Sequence, residues 1–390
     1  MTQSLPPLSF QHIAPELRLY CGSDSLAALA RELKRGGYRR VVIVTGNSVS
    51  RSTAMDLLRT ELDGVLAGES HAVKSNSPVT AVAAVTGTLR EFAADCVIAV
   101  GGGSAAVTAR AASVALAEGK SLQELCTRRQ ADGEFVSPRL PATKLPQFVV
   151  PTTPSTAFVK AGSAAHDPAT GERLAVFDPK TRAKAVFIHP AFLATSPLEL
   201  TSTASLNTLS TAIEALESPK CDPISEALLM HAVRLTSEHL GNLTPQGTSV
   251  RERLAIAGVL CGRGTEQAGG GLASVLAHAT GHRVHVANGT INAIVLPHTM
   301  RFNAPATVGT LGRIVESLPR STSNGSEGAV HSLEKLFDRL GIARRLRDIG
   351  VAESDLTEIA EAAMADWFIT RAPRKVAGVS ELRGILEQAW

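Results

Sequence analysis

Apolar residues follow two different rhythms along this chain. In the first half, short β-branched runs alternate with stretches of helical spacing. Arg40 to Gly46 (RVVIVTG), Cys96 to Val100 (CVIAV) and Gln147 to Thr153 (QFVVPTT) predict buried strands that end in turns. Between them, Ser25 to Arg35, Arg51 to Leu62 and Pro78 to Phe92 predict helices, and an alanine-rich helix is expected directly after Gly101-Gly102-Gly103-Ser104. Continuous apolar strands alternating with helices point to a parallel sheet covered on both faces. From about Ser196 onward the spacing is almost entirely helical. Ser202–Leu216, Pro223–Leu240, Ser249–Leu260, Gly271–Ala279, Val330–Leu340 and Leu356–Trp367 predict helices. Thr290 to Pro297 is apolar but of uncertain type, and Ser321 to Gly328 reads as a loop. The expected architecture is an α/β domain over residues 1–195 and an all-helical domain over 196–390, with no internal repeat.

Composition narrows the class without adding chemistry. The chain has 390 residues, 44% hydrophobic and 19% charged, which is ordinary for a globular protein. Its 39 basic and 36 acidic residues leave a net charge of +3, and no basic block with interleaved aromatics suggests nucleic acid. The five cysteines (Cys21, Cys96, Cys126, Cys221, Cys261) are odd in number and widely spaced, so neither a disulfide framework nor a CxxC site is suggested. A reducing cytoplasm is the simplest compartment. Met1 to Leu19 lacks the pattern of a signal peptide. The longest apolar stretch, Cys96 to Leu116, is interrupted by glycines and Arg110, which argues against a membrane span.

The strand–GGGS–helix junction is the strongest local signal. Glycines let a ligand approach the backbone, and the N–H groups opening a helix attract phosphate. In parallel sheets such sites lie beyond the carboxyl ends of the strands. The turn matches neither GxGxxG nor a Walker motif, and a plain tight connection would look the same. Pro151-Thr152-Thr153, closing the next strand, adds two hydroxyls at the same edge. Together the two turns suggest a pyrophosphate site formed by Gly101, Gly102, Gly103, Ser104, Thr152 and Thr153.

These motifs, in this order, resemble the iron-containing alcohol dehydrogenase family, whose fold is shared with dehydroquinate synthase. The resemblance runs over nearly the whole chain: Ala94 to Ser104, Pro151 to Thr153, Thr203 to Leu216 and Gly271 to Asn303. Within the family, the maleylacetate reductase branch is the most similar, through Leu206-Asn207, Val295 to His298, Asn303 to Ala306, and the tail from Arg371-Ala372-Pro373-Arg374 to Trp390. The resemblance implies a Rossmann-like domain, a helical domain closing a cleft, NADH or NADPH as cofactor, and a homodimer. It also implies reduction of a small carboxylated substrate without a metal.

The resemblance places the family's metal ligands, one Asp and three His, at Asn207, Thr211, Ser274 and Asn288. Positions 207 and 211, like 274 and 278, share one helix face. Amides and hydroxyls do not replace imidazole and carboxylate around zinc or iron, so no metal is expected. Val107 stands where the wider family has an Asp after the glycine turn. Gly46 stands where it often has the Asp that reads the adenine ribose, which leaves NADPH open as well as NADH. Pro154 to Lys160 replaces a Gly-Ser-Glu type turn and places Phe158 where it would crowd the nicotinamide.

His278 is the candidate catalytic residue, a proton donor to a carbonyl oxygen; a packing histidine is its bland counterpart. His282 and His285 lie close by, His285 near the loop to Asn288. Asn207, Thr211, Ser274 and Asn288 are candidate substrate-binding groups, and Arg283 is the candidate carboxylate clamp, ranked above Lys160, Arg173, Arg182 and Lys184. Trp367 and Trp390 are expected to pack the last helices. Two other readings stay open: non-redox chemistry in the same cleft, including a Ser274 nucleophile beside His278, or a binding protein without catalysis.

Overall fold

The computed structural model describes residues 9–130, 134–284, 286–318 and 326–390. The strands, in chain order, are β1 (Arg18–Cys21), β2 (Val41–Val44), β3 (Leu66–Ser70), β4 (Cys96–Gly101), the short β5 (Arg128–Arg129) and β6 (Phe135–Val136), β7 (Gln147–Pro151), β8 (Gly162–His166), β9 (Arg173–Phe177) and β10 (Ala183–Ile188). Six of them form one parallel sheet in the order β1-β10-β7-β4-β2-β3. The pairs β5–β6 and β8–β9 are antiparallel ribbons outside it. Around the sheet run α1 (Ser25–Gly36), α2 (Asn47–Ser50), α3 (Thr53–Glu61), α4 (Val79–Glu91), α5 (Gly103–Glu118) and α6 (Leu122–Leu125).

The central strands are buried on both faces because they alternate apolar residues into two separate cores. Val42, Val44, Val97, Ala99 and Val149 join one cluster, while Val41, Ile43, Cys96, Ile98, Phe148 and Val150 join the other. Helix α5 approaches the sheet closely because its buried face is mostly alanine: Ala105, Ala106, Ala109 and Ala112. Arg110, the charge that interrupts the apolar run, is fully buried there. Its guanidinium donates to the carbonyls of Ala157 and Gly162, each at 2.6 Å, and burial pulls its pKa down to about 10. It therefore ties α5 to the segment after the Pro-Thr-Thr turn.

The second half is helical: α7 (Pro190–Leu193), α8 (Leu198–Glu217), α9 (Pro223–His239), α10 (Thr248–Ala268), α11 (Leu272–Val284), α12 (Asn288–Asn303), α13 (Val308–Ser317), α14 (Ser326–Arg339), α15 (Leu356–Met364) and α16 (Val379–Ala389). One apolar cluster binds α8 to α16 together. Thr290 to Pro297 proves helical within α12, with Pro297 inside it. Helix α10 runs on to Ala268, past the predicted end at Leu260. The predicted loop at 321–328 lies largely outside the described residues, and α14 already begins at Ser326. Among the described residues no helix is long and apolar enough to cross a membrane.

The two halves meet through α10. A Cβ on Gly258 would come within 2.6 Å of the Ser155 backbone nitrogen, and one on Gly262 within 2.8 Å of the Thr156 carbonyl oxygen. Helix α10 lies directly on the turn that follows β7 because these two positions carry no side chain.

Candidate active site

Strands β4 and β7 are adjacent, so their closing turns emerge side by side, with the Thr152 N–H donating to the Gly101 carbonyl at 3.0 Å. Gly101 has φ +148°, a conformation that side chains rarely adopt. A Cβ on Gly102 would lie 2.9 Å from Thr153 Oγ1, and one on Gly103 2.7 Å from Ser155 Oγ. The glycines are thus required first for seating one turn against the other. What remains at their edge is the start of the 16-residue α5, whose first turn has no side-chain cap. Uncapped N–H groups at the carboxyl end of a parallel strand fit a pyrophosphate. Gly101, Gly102, Gly103, Ser104, Thr152 and Thr153 are brought together, and this cradle suits a dinucleotide.

The other candidate residues lie on a wall made by α8, α11 and α12, which pack on one another. Over residues 205–217 of α8 every position is buried except Asn207 and Thr211, and over 271–280 every position is buried except His278. Over these two stretches the open positions are ones singled out from sequence. A Cβ on Gly289 would collide with the Thr203 carbonyl oxygen and approach the Asn207 nitrogen to 3.0 Å, so the start of α12 sits on α8 beside Asn207. Asn288 Oδ1 lies 2.8 Å from where a Cβ on Gly281 would be, which places it against α11. Asn207 Oδ1 accepts a hydrogen bond from Asn292 Nδ2 at 2.8 Å.

Ser274 is oriented away from nucleophilic work. Its Oγ donates to Glu214 Oε2 at 2.6 Å and its N–H donates to Oε1 at 2.9 Å. Glu214 thereby closes the N-terminus of α11. Burial pushes its carboxyl up to about 7, against the pull of these hydrogen bonds. Glu217, one turn on, is pushed by burial up to about 8. It accepts from Asn303 Nδ2 at 2.9 Å through Oε2, and its Oε1 is buried without a partner.

His278 has an acidic neighbour that sequence spacing did not reveal. Its Nδ1 lies 2.8 Å from Asp366 Oδ2, in the segment between α15 and α16. Arg173, on β9 of the sheet half, brings Nη1 to 3.1 Å from the same Nδ1 and 3.5 Å from Oδ2. Burial would raise the Asp366 carboxyl, but the His278 hydrogen bond and the charges of His278 and Arg173 hold it below the usual range. The Asp366 Oδ1 accepts the Phe368 N–H at 2.9 Å, and the Phe368 ring stacks on the imidazole with centroids 6.1 Å apart.

Several expectations require correction. Phe158 does not crowd a cofactor pocket, because it is fully buried in the sheet-side core. Arg283 is not part of the wall. It pairs with Asp355 and with Glu358, and Arg173 takes its place beside His278. Lys160 and Arg182 are both held by Glu266, and Lys184 is simply exposed. Trp390 packs as expected, donating Nε1–H to the Val351 carbonyl, whereas Trp367 is exposed and stacks on Phe368. His285 and the side chain of His282 lie outside the described residues.

The donor set does not fit iron. The four positions that the resemblance aligns with metal ligands carry two amides and two hydroxyls, of which the Asn207 oxygen and the Ser274 proton are already committed within the protein. Among the described residues, no group of three or more His, Cys, Asp or Glu side chains is placed to hold a metal ion.

Comparison with known proteins agrees with the fold. The family model described as iron-containing alcohol dehydrogenase matches residues 15–190, and that of the Fe-containing alcohol dehydrogenase family C-terminal region matches 201–390. The chain is 27% identical over 379 residues to lactaldehyde reductase of Escherichia coli (strain K12), covering 95% of this chain and 97% of that protein. It is 26% identical to 1,3-propanediol dehydrogenase of Citrobacter freundii, covering 98% and 99%. Among solved structures it is similar to maleylacetate reductase from Agrobacterium tumefaciens (TM-score 0.80, 22% identity, 98% and 99% covered). It is also similar to sulfoacetaldehyde reductase from Bifidobacterium kashiwanohense in complex with NAD+ (0.86, 18%, 98% and 99%).

Proposed function

Because this chain belongs to the iron-containing alcohol dehydrogenase family and is an oxidoreductase, we propose that it is a metal-independent reductase of a small carboxylated carbonyl or enoyl compound, similar to maleylacetate reductase, using NADH or NADPH. The observation that carries the reading is the wall of the cleft. Over 205–217 of α8 and 271–280 around the start of α11, buried at every other position, the only openings are Asn207, Thr211 and His278. These groups bind and protonate; they do not coordinate.

In this reading the glycine turn and the uncapped start of α5 hold the pyrophosphate, with Thr152 and Thr153 beside it. The nicotinamide, when bound, supplies the hydride. Asn207, Thr211 and Asn288 hydrogen-bond the polar substrate. His278 delivers a proton to the oxygen, or to the alkene carbon, on which negative charge develops. Arg173 is the cation nearest the imidazole and suits a substrate carboxylate. Ser274 supports the wall through Glu214. The reading includes a domain boundary near residue 195 and a homodimer in the cytoplasm. Neither a membrane nor a nucleic acid is a partner, in keeping with the small net charge.

The test is a titration of the chelator-dialysed protein with NADH and NADPH, followed by turnover on maleylacetate and a panel of keto acids. Micromolar binding and turnover unchanged by chelation are expected. Activity restored only by added Fe2+ or Zn2+ would overturn metal independence. Absence of binding at millimolar cofactor would overturn the reductase reading and return the cleft to non-redox chemistry.

A further inference from the structure

We propose that Asp366 is the positioning residue of His278, fixing its neutral ring as the Nδ1–H tautomer so that Nε2 is the nitrogen that gains and delivers the proton. The proposal rests on the reading of His278 as the proton donor, but its structural half stands on its own geometry.

The contacts with Asp366 and Arg173 favour one proton arrangement on Nδ1. Nδ1 lies 2.8 Å from Asp366 Oδ2 and 3.1 Å from Arg173 Nη1. If Nδ1 presented a lone pair to Arg173, it would also face the lone pairs of an ionised carboxylate at 2.8 Å, which is repulsive. A guanidinium has donors only, and its charge is met by the carboxylate, which lies 3.5 Å from it as an ion pair. The consistent assignment places the proton on Nδ1, donated to Oδ2, with Arg173 neutralising the acid from its other side. The Asp366 carboxylate cannot turn away, because its Oδ1 is held by the Phe368 N–H at 2.9 Å. Phe368 also stacks on the imidazole, so one short segment fixes both the tautomer and the plane of the ring. The carboxylate is 11% exposed and the imidazole 18%, so water competes weakly for the bond. An acid held in this way also stabilises the imidazolium that carries the proton between turnovers, a role generalised from the hydrolase triads.

The isosteric change Asp366→Asn makes the sharpest test. The Phe368 N–H keeps the side-chain oxygen where it is, so the amide nitrogen takes the place of Oδ2. The ring then meets a donor, and Nδ1 must become an acceptor. Two-dimensional 1H–15N spectra of the full-length protein labelled with 15N-histidine read this directly, with the His278 signal identified by its loss in His278→Gln. The wild type is expected to show the Nδ1–H form, Asp366→Asn the Nε2–H form, and Arg173→Gln the wild-type form. With NADH and whichever keto acid the wild type reduces, Asp366→Asn is expected to lower kcat about a hundredfold while leaving the KM for NADH within twofold. An Nε2–H ring in the wild type, or the same tautomer in wild type and Asp366→Asn, would overturn the proposal. So would a full flip with unchanged kcat. A wild type that reduces nothing would count against the reductase reading, while the tautomer would still decide the structural claim.

Discussion

In the proposed reading the turn at the sheet edge and the helical wall are two sides of one cleft, built by different means. At the turn, Gly101 to Ser104 offer main-chain N–H groups, and side chains matter mainly by being absent. On the wall, Asn207, Thr211 and His278 interrupt stretches of α8 and α11 that are otherwise buried, and what they offer is in the side chains. As the resemblance aligns them, the backbone-made side keeps the family's residue types and the wall carries different ones. A site made of backbone keeps its function as long as the fold is kept. A site made of side chains can change while the fold stays the same.

The comparison is broken most forcefully at His278. His278→Gln should lower turnover by about 10²- to 10⁴-fold, as expected for losing a general acid, with little change in melting temperature. Steady-state kinetics beside a thermal melt checks it, and unchanged turnover would remove catalysis from the wall.

Next in size is Glu217, behind the wall. Its native carboxyl titrates at about 8, against about 4.3 in an unfolded chain. Between those values the native state holds a proton that the unfolded state has released. This group therefore makes stability fall as pH rises from about 4.3 to 8. Glu217→Gln should shrink the stability difference between pH 5 and pH 8 by about 3 kcal/mol, measured by urea unfolding. Glu214, with the same sign, keeps part of the dependence in the variant.

Gly258 probes the turn from the helical side. Gly258→Ala places a Cβ against the Ser155 backbone and should cost about 1–3 kcal/mol of stability while weakening NADH binding. Calorimetry with and without NADH separates the two effects. Smallest is Arg283→Ala, where loss of exposed pairs with Asp355 and Glu358 should change stability by less than about 0.5 kcal/mol and leave turnover intact.

The sheet was legible where strands are buried on both faces, as at Val41–Val44 and Cys96–Gly101. It was not legible at β1, whose burial alternates along an edge, or at β3, whose Leu-Ala-Gly-Glu-Ser carries no β-branched residue. Helix α10 continues past Leu260 through Gly262 and Gly264, weak helix formers that here admit close neighbours. The wall positions were found through family resemblance and helix spacing. Asp366 and Glu214 carry no such signal, because each meets its partner across 60 or more residues through tertiary packing alone, and Arg173, one of four cations named near the sheet edge, ranks below Arg283 for the same reason.

The nearly closed faces of α8 and α11 have one more consequence. Where each open position is surrounded by positions that cannot change without unfolding the domain, the cleft can be rewritten one side chain at a time. In the proposed reading, exchanging Thr211 alters what the cleft recognises and leaves the packing behind it alone. This architecture therefore lends itself to acquiring new substrates in small, individually tolerable steps.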